Sequence, residues 1–137
     1  MFDWIKMTLA LLGSVPGAGE VRTQVLLEAT QSWDGALYGH YPAGQPQATL
    51  LRIEVPADTC LGWHEHSAVN VAYIEEGSLR LERRDTGQSL ELHPGDAVAE
   101  MVNTVHRGCT GPTPVKLLVF YAGAEGLPLS TPAQDIP

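Results

Sequence analysis

Five histidines occur in the chain, and two of them, His64 and His66, are separated by a single residue. On a β-strand, residues i and i+2 point to the same face, so this pair presents two imidazoles side by side. Two imidazoles on one face make a clamp for a divalent transition metal. A third donor must come from another segment. His106 is the candidate, because it follows an apolar stretch (96–102) by a tight turn at Asn103-Thr104 and can return beside the first pair. Taken alone, a His-x-His pair is more often surface decoration than a metal clamp, so the elements that carry these residues decide the reading. His40, in a Pro/Gly-rich loop, and His93, before Pro94, have no spacing partner and read as surface residues.

The elements read as short strands. Short strands recur over 48–55, 69–76, 78–84, 88–92, 96–102, 106–110 and 114–122, and all but 106–110 (HRGCT) carry Val, Ile or Leu. Between them stand turn signals such as Gly77, Asp85-Thr86-Gly87, Pro94-Gly95-Asp96 and Gly111-Pro112. Strands of this length at this spacing predict an all-β sandwich or barrel. Segment 21–30 also reads as a strand, apolar enough to join a neighbour's sheet. Segment 114–122 is apolar on both parities and should lie in the middle of a sheet. No helix of ordinary length can be drawn between 21 and 122. The expected organisation is an N-terminal apolar segment (1–20), one barrel (21–123) and a Pro-rich tail (124–137) that drapes over the surface or frays.

The frame around the histidines resembles the cupin superfamily, and within it the small single-domain bacterial members. The first cupin motif runs G-x5-H-x-H-x3,4-E-x6-G. Here Asp58 takes the first glycine position, His64 and His66 follow, Asn70 stands at the glutamate and Gly77 closes the motif. The second runs G-x5-P-x-G-x2-H-x3-N, and here Gly95 is followed by Met101, Asn103, His106 and Thr110 at the matching positions. The resemblance spans roughly 48–122. It implies an all-β double-stranded β-helix, or jelly roll, with a divalent transition metal (Zn, Fe, Mn, Ni or Cu) on His64, His66 and His106.

The departures shape the expected chemistry. Asn70 replaces an anionic ligand with a neutral oxygen donor and leaves a three-His site with open positions. Glu100 can compensate. If the hairpin centres on Asn103, residue 100 faces His106 across it, and Val98 and Val102 on the same parity point to an inward face. A carboxylate there could ligate the metal, fix the His106 tautomer or act as a general base. Tyr73 and Met101 are further lining candidates. Trp63 and Arg107 should point away from the histidines. The loops holding Trp33-Asp34-Gly35 and Tyr41-Pro42-Ala43-Gly44 could cover a barrel mouth.

In the cupin barrel the strand with the first two histidines lies antiparallel beside the strand with the last. Pairing His64 with His106 brings Cys60 and Cys109 within one residue of facing each other. Proximity is expected; a disulfide needs a bulge to correct the parity and stays open at this point.

Composition narrows the function. The 137 residues suffice for one domain with its own core, and 44% are apolar while 18% are charged, as in ordinary globular proteins. A net charge of -8 and the absence of a basic cluster argue against nucleic acid as partner. The run 7–15, after Lys6 and before Pro16-Gly17-Ala18-Gly19, reads either as the core of a secretory signal or as a short helix on the barrel. It is too short to span a bilayer, and export and cytosolic residence both stay open. The expected partners are a small-molecule ligand or substrate and a second copy of the chain, as a homodimer. An enzyme of oxygenase, isomerase or hydrolase type ranks first, with Glu100 as its catalytic residue. A non-catalytic binding domain for a metabolite, sugar or metal ranks second.

Overall fold

The computed structural model describes residues 19–133. Nine strands form two antiparallel sheets, and among the described residues there is no helix. The first sheet has the order β1-β8-β3-β6, built from β1 (Pro46–Val55), β3 (Asn70–Glu76), β6 (Ala97–Ala99) and β8 (Val115–Ala124). The second has the order β5-β4-β7-β2-β9, built from β2 (His64–Glu65), β4 (Leu79–Arg83), β5 (Ser89–Leu92), β7 (His106–Thr110) and β9 (Thr131–Pro132). Sequential strands cross repeatedly between the sheets, giving the jelly-roll arrangement the sequence implied.

Alternation sets what faces inward. Val115, Leu117, Val119 and Tyr121 of β8 meet Leu79 and Leu81 of β4 and Leu92 of β5 across the sandwich. β8 lies between β1 and β3, as its apolar character on both parities requires. On β3 the inward residues are Asn70, Ala72 and Ile74, so Tyr73 takes the outer face and does not line the interior.

Two motif positions that depart from glycine keep its backbone. Asp58 has φ 52° and Asn103 has φ 55°, the two non-glycine residues of the described chain with left-handed backbone. Asp and Asn are the side chains that tolerate this region best, so both tight turns survive the substitutions. At Gly77 the constraint is absolute, since a Cβ there would sit 2.1 Å from the Pro114 carbonyl oxygen.

Three expectations are corrected. Segment 21–30 is no strand: it pairs with no edge, and Leu27 and Ala29 lie with Tyr38, Val71 and Phe120 along the outer face of the first sheet. Its alternation reports an extended chain packed on a face, and period two carries no information on hydrogen-bond partners. Segment 96–102 keeps strand pairing only over Ala97–Ala99, after which the chain turns toward the histidines. Of the tail, residues 124–133 are part of the fold. β8 runs on to Ala124, β9 adds to the edge of β2, and Ala133 is buried. The apolar run 7–15 lies outside the described residues.

Cys60 and Cys109 face each other in an isolated bridge and are joined by a disulfide. The ladder pairs His64 with His106, so one extra residue is absorbed between Cys60 and His64. That is the bulge the parity demanded.

Candidate metal centre

β2 and β7 place His64 and His106 directly opposite each other, and His66 follows on the same face of the β2 segment. The three rings form a near-equilateral triangle, with centroids 4.6–4.9 Å apart. Their donor atoms all lie within 4.8 Å of one another. His66 and His106 are buried and His64 is half-buried at the mouth.

The outer nitrogen of each ring is committed. Nδ1 of His64 meets the Gly62 carbonyl at 2.6 Å, Nδ1 of His66 the Leu129 carbonyl at 2.8 Å, and Nδ1 of His106 the Thr104 carbonyl at 2.7 Å. A carbonyl only accepts, so each Nδ1 carries the proton and each Nε2 presents a lone pair. Three lone pairs converging in a buried space repel one another unless a cation sits among them. Nε2 of His106 is buried without a hydrogen-bond partner, which is costly in an interior that otherwise satisfies its polar groups. Burial, outweighing the carbonyl contacts, pushes His66 and His106 down to about 4. Both rings are therefore neutral at physiological pH, the state a metal ligand needs. The donor set fits a divalent transition metal.

Glu100 turns inward and is 7% exposed, but not as the cross-hairpin partner of His106: β6 ends at Ala99 in the first sheet, and β7, in the second, pairs His106 with His64 and Arg83. Its Oε1 accepts from the Trp33 Nε1–H at 2.9 Å and from the Met101 backbone N–H at 2.9 Å. Its Oε2 stands 3.6 Å from His106 Nε2, too far for a hydrogen bond. Burial raises its pKa, against the two donors. Asn70 is buried beside the histidines, with its Nδ2 donating to the Ala68 carbonyl.

Several groups were not legible beforehand. Residues 31–37 form a small hairpin, closed by the Gln31–Leu37 bridge and held by Asp34, which accepts from Arg83 at 2.8 Å and from Ser32. This places Trp33 on Glu100, and Tyr38 donates to the Glu100 carbonyl at 2.6 Å. The Tyr38 hydroxyl is pushed up to about 12 by burial and by Glu100. Tyr121 stands edge-on to His66 at 5.5 Å. The loop signal Ser32-Trp33-Asp34-Gly35 was visible, but its partner was not. Tyr41 remains exposed. Met101 is fully buried yet does not line the cavity, while Trp63 faces away, stacked under Arg107 at 4.2 Å.

The Leu129 carbonyl makes the tail a positioning element for His66. Ending the chain after Gly126 is expected to weaken zinc binding by roughly 10–100-fold, the usual cost of losing an outer-shell partner. A zinc titration of the truncated protein reads this, and unchanged affinity would assign the orientation of His66 to β2 alone.

The cavity beneath the histidines holds about 70 Å³. A wider depression of about 770 Å³ lies at the opposite end of β3 and β8, around Glu54, Glu76 and Lys116. It contains no imidazole, so the chemistry is placed at the smaller cavity.

Comparison with known proteins agrees with the geometry. A family model described as a cupin domain matches residues 51–121. The DMSP lyase DddQ from Ruegeria pomeroyi superposes with a TM-score of 0.56 at 21% identity, covering 63% of this chain and 43% of that one. The polyketide cyclase RemF from Streptomyces resistomycificus gives 0.55 at 25% identity, covering 66% of this chain and 62% of that one. A cupin-like protein from Thermotoga maritima gives 0.53 at 16% identity, covering 62% and 63%. This chain thus spans less than half of the lyase and under two thirds of the other two. No curated protein matches the sequence. With more than half of its residues inside the family model and the histidine frame in place, the chain belongs to the cupin family.

Proposed function

We propose that this cupin binds one divalent transition metal on His64, His66 and His106 and acts as an enzyme on a small molecule, of oxygenase, isomerase or hydrolase type. The observation that carries this reading is the convergence of three Nε2 lone pairs whose rings are each fixed by a backbone carbonyl. A bound ion supplies a Lewis acid with open coordination positions. Asn70 offers a neutral oxygen in place of a further carboxylate.

Glu100 is the proposed acid–base residue. Trp33 and Met101 hold Oε1 in place, which leaves Oε2 to take or give a proton beside His106. Burial keeps its proton affinity above that of an ordinary carboxylate, the direction a general base needs. With Glu100→Gln, metal content stays stoichiometric and turnover falls by roughly 10²–10⁴-fold if the residue moves a proton. If it is a ligand, metal content falls instead. No change in either would remove Glu100 from the mechanism.

Elemental analysis of the purified protein, followed by oxygen-uptake measurements, tests the whole reading. Redox-active iron or copper with oxygen uptake supports the oxygenase class, and the absence of any tightly held metal overturns the proposal. The second reading, a non-catalytic binding domain for a metabolite, sugar or metal, draws on the sparse catalytic set: beyond the histidines, Glu100 is the only carboxylate lining the cavity. Stoichiometric metal without turnover would support it.

The homodimer is proposed on the outer face of the first sheet, where Leu50, Tyr41 and Phe120 are exposed at 65%, 69% and 40%. Exposed apolar side chains gathered on one face mark an association surface. Light scattering is expected to give twice the chain mass, and a single-chain mass would remove the dimer.

A further inference from the structure

Protein interiors leave few voids larger than a water molecule, yet the sandwich is unfilled beneath the histidines. The void holds about 70 Å³. At one end stand the three imidazoles, Asn70, Glu100 and Tyr121. The rest of its wall is aliphatic and comes from both sheets, including Ile53, Ala72, Leu92, Leu117 and Val119. No lysine or arginine lines it, and Glu100 is its only carboxylate.

One glycine keeps this space open. Gly108 lies on β7, two residues beyond His106, and faces Leu79 of β4. A Cβ at Gly108 would meet Leu79 Cδ1 at 3.2 Å and its Cδ2 and Cγ at 3.4 Å. The backbone at Gly108 is not left-handed, so glycine is needed here for room and not for conformation. Both residues line the void, so a methyl group at 108 would occupy part of its wall and make Leu79 give way by a few tenths of an ångström.

We infer that this chamber is the subsite for the apolar end of the substrate, with the Leu79–Gly108 contact setting how long that end can be. The inference rests on the proposed metal reading for the polar end of the ligand, while the chamber itself stands on geometry alone. The substrate class is a molecule that coordinates through an oxygen or nitrogen group and carries a short, uncharged apolar substituent. Scaled to an apolar cavity of about 150 Å³ that takes up benzene, the chamber accepts roughly three heavy atoms. An anionic group at the far end of the substrate would be buried against aliphatic walls without a cation, at prohibitive cost.

Xenon is the probe for the chamber, because apolar cavities stay dry and take it up. Xenon NMR on the metal-free and zinc-loaded protein is expected to show saturable binding. That binding is lost in Gly108→Ala and in Ala72→Val, which fill the wall from different strands, while zinc affinity is unchanged in both. On the zinc-loaded protein, straight-chain alkyl hydroxamates of increasing length are expected to bind more tightly over the first methylenes and then more weakly. Leu79→Ala moves the fall to longer chains. The proposal is overturned if the folded wild type binds no xenon saturably, if neither filling variant affects xenon, or if hydroxamate affinity ignores chain length. If zinc does not bind while xenon follows the expected pattern, the metal reading fails and the apolar subsite stands.

Discussion

His64→Ala is expected to abolish stoichiometric metal binding while leaving the fold intact. The position is half-buried at the mouth, so truncation opens no core cavity of the kind that costs several kcal/mol. The two remaining imidazoles cannot hold an ion against water as three do. Thermal denaturation with and without zinc reads the difference. Zinc at a hundredfold excess over its dissociation constant stabilises the wild type by about 2.7 kcal/mol, and the variant gains nothing. Equal zinc stabilisation of both proteins would sink the three-histidine site. Without metal, the same site predicts a pH dependence. Burial holds His66 and His106 at about 4 in the folded state, below the ordinary 6.5. As pH falls below 6.5 the unfolded chain takes up protons that the two folded rings refuse, so their contribution to stability declines as pH falls from about 6.5 to 4. Zinc should deepen this slope, because its ligands must be neutral in the complex.

Removing the disulfide has the second large effect. Cys60 and Cys109 are 49 residues apart, and closing a loop of that size in the unfolded chain is worth about 4 kcal/mol on the chain-entropy account. For a domain of this size the thermal midpoint should fall by roughly 10–15 °C in Cys60→Ser/Cys109→Ser. The bond also ties the chain entering β2 to β7, the two strands that carry His64 and His106. Zinc affinity should therefore weaken along with stability. A midpoint unchanged by the double substitution, or by dithiothreitol on the wild type, would show that the ladder alone holds these strands together.

Part of this architecture is written locally in the chain, and part is not. The spacings from Asp58 through His64, His66 and Gly77, and from Gly95 to His106, are local. A strand's period of two and a turn's need for left-handed backbone operate within a few residues, so they are written in the chain. The substitutions at Asp58 and Asn103 show how literal this is, since both fill glycine positions with the residues that tolerate the same φ. Segment 21–30 shows the limit. Its alternation is compatible with pairing at an edge or with lying across a face, and only the three-dimensional arrangement of β3, β6 and β8 selects the face. The tail shows another limit: two residues of β9 carry too little pattern to register, yet Leu129 supplies the carbonyl that orients His66.

The three histidines and the strand rhythm around them were therefore determined by the sequence itself, because each follows from periodicity and turn geometry over short spans. Tertiary structure alone decided that Trp33 would hold Glu100 and that one extra residue would bring Cys60 onto Cys109. It alone set the space beneath the metal ligands by what faces Gly108. Each of these joins residues from distant parts of the chain, and such contacts depend on how the two sheets stack, which no local pattern encodes.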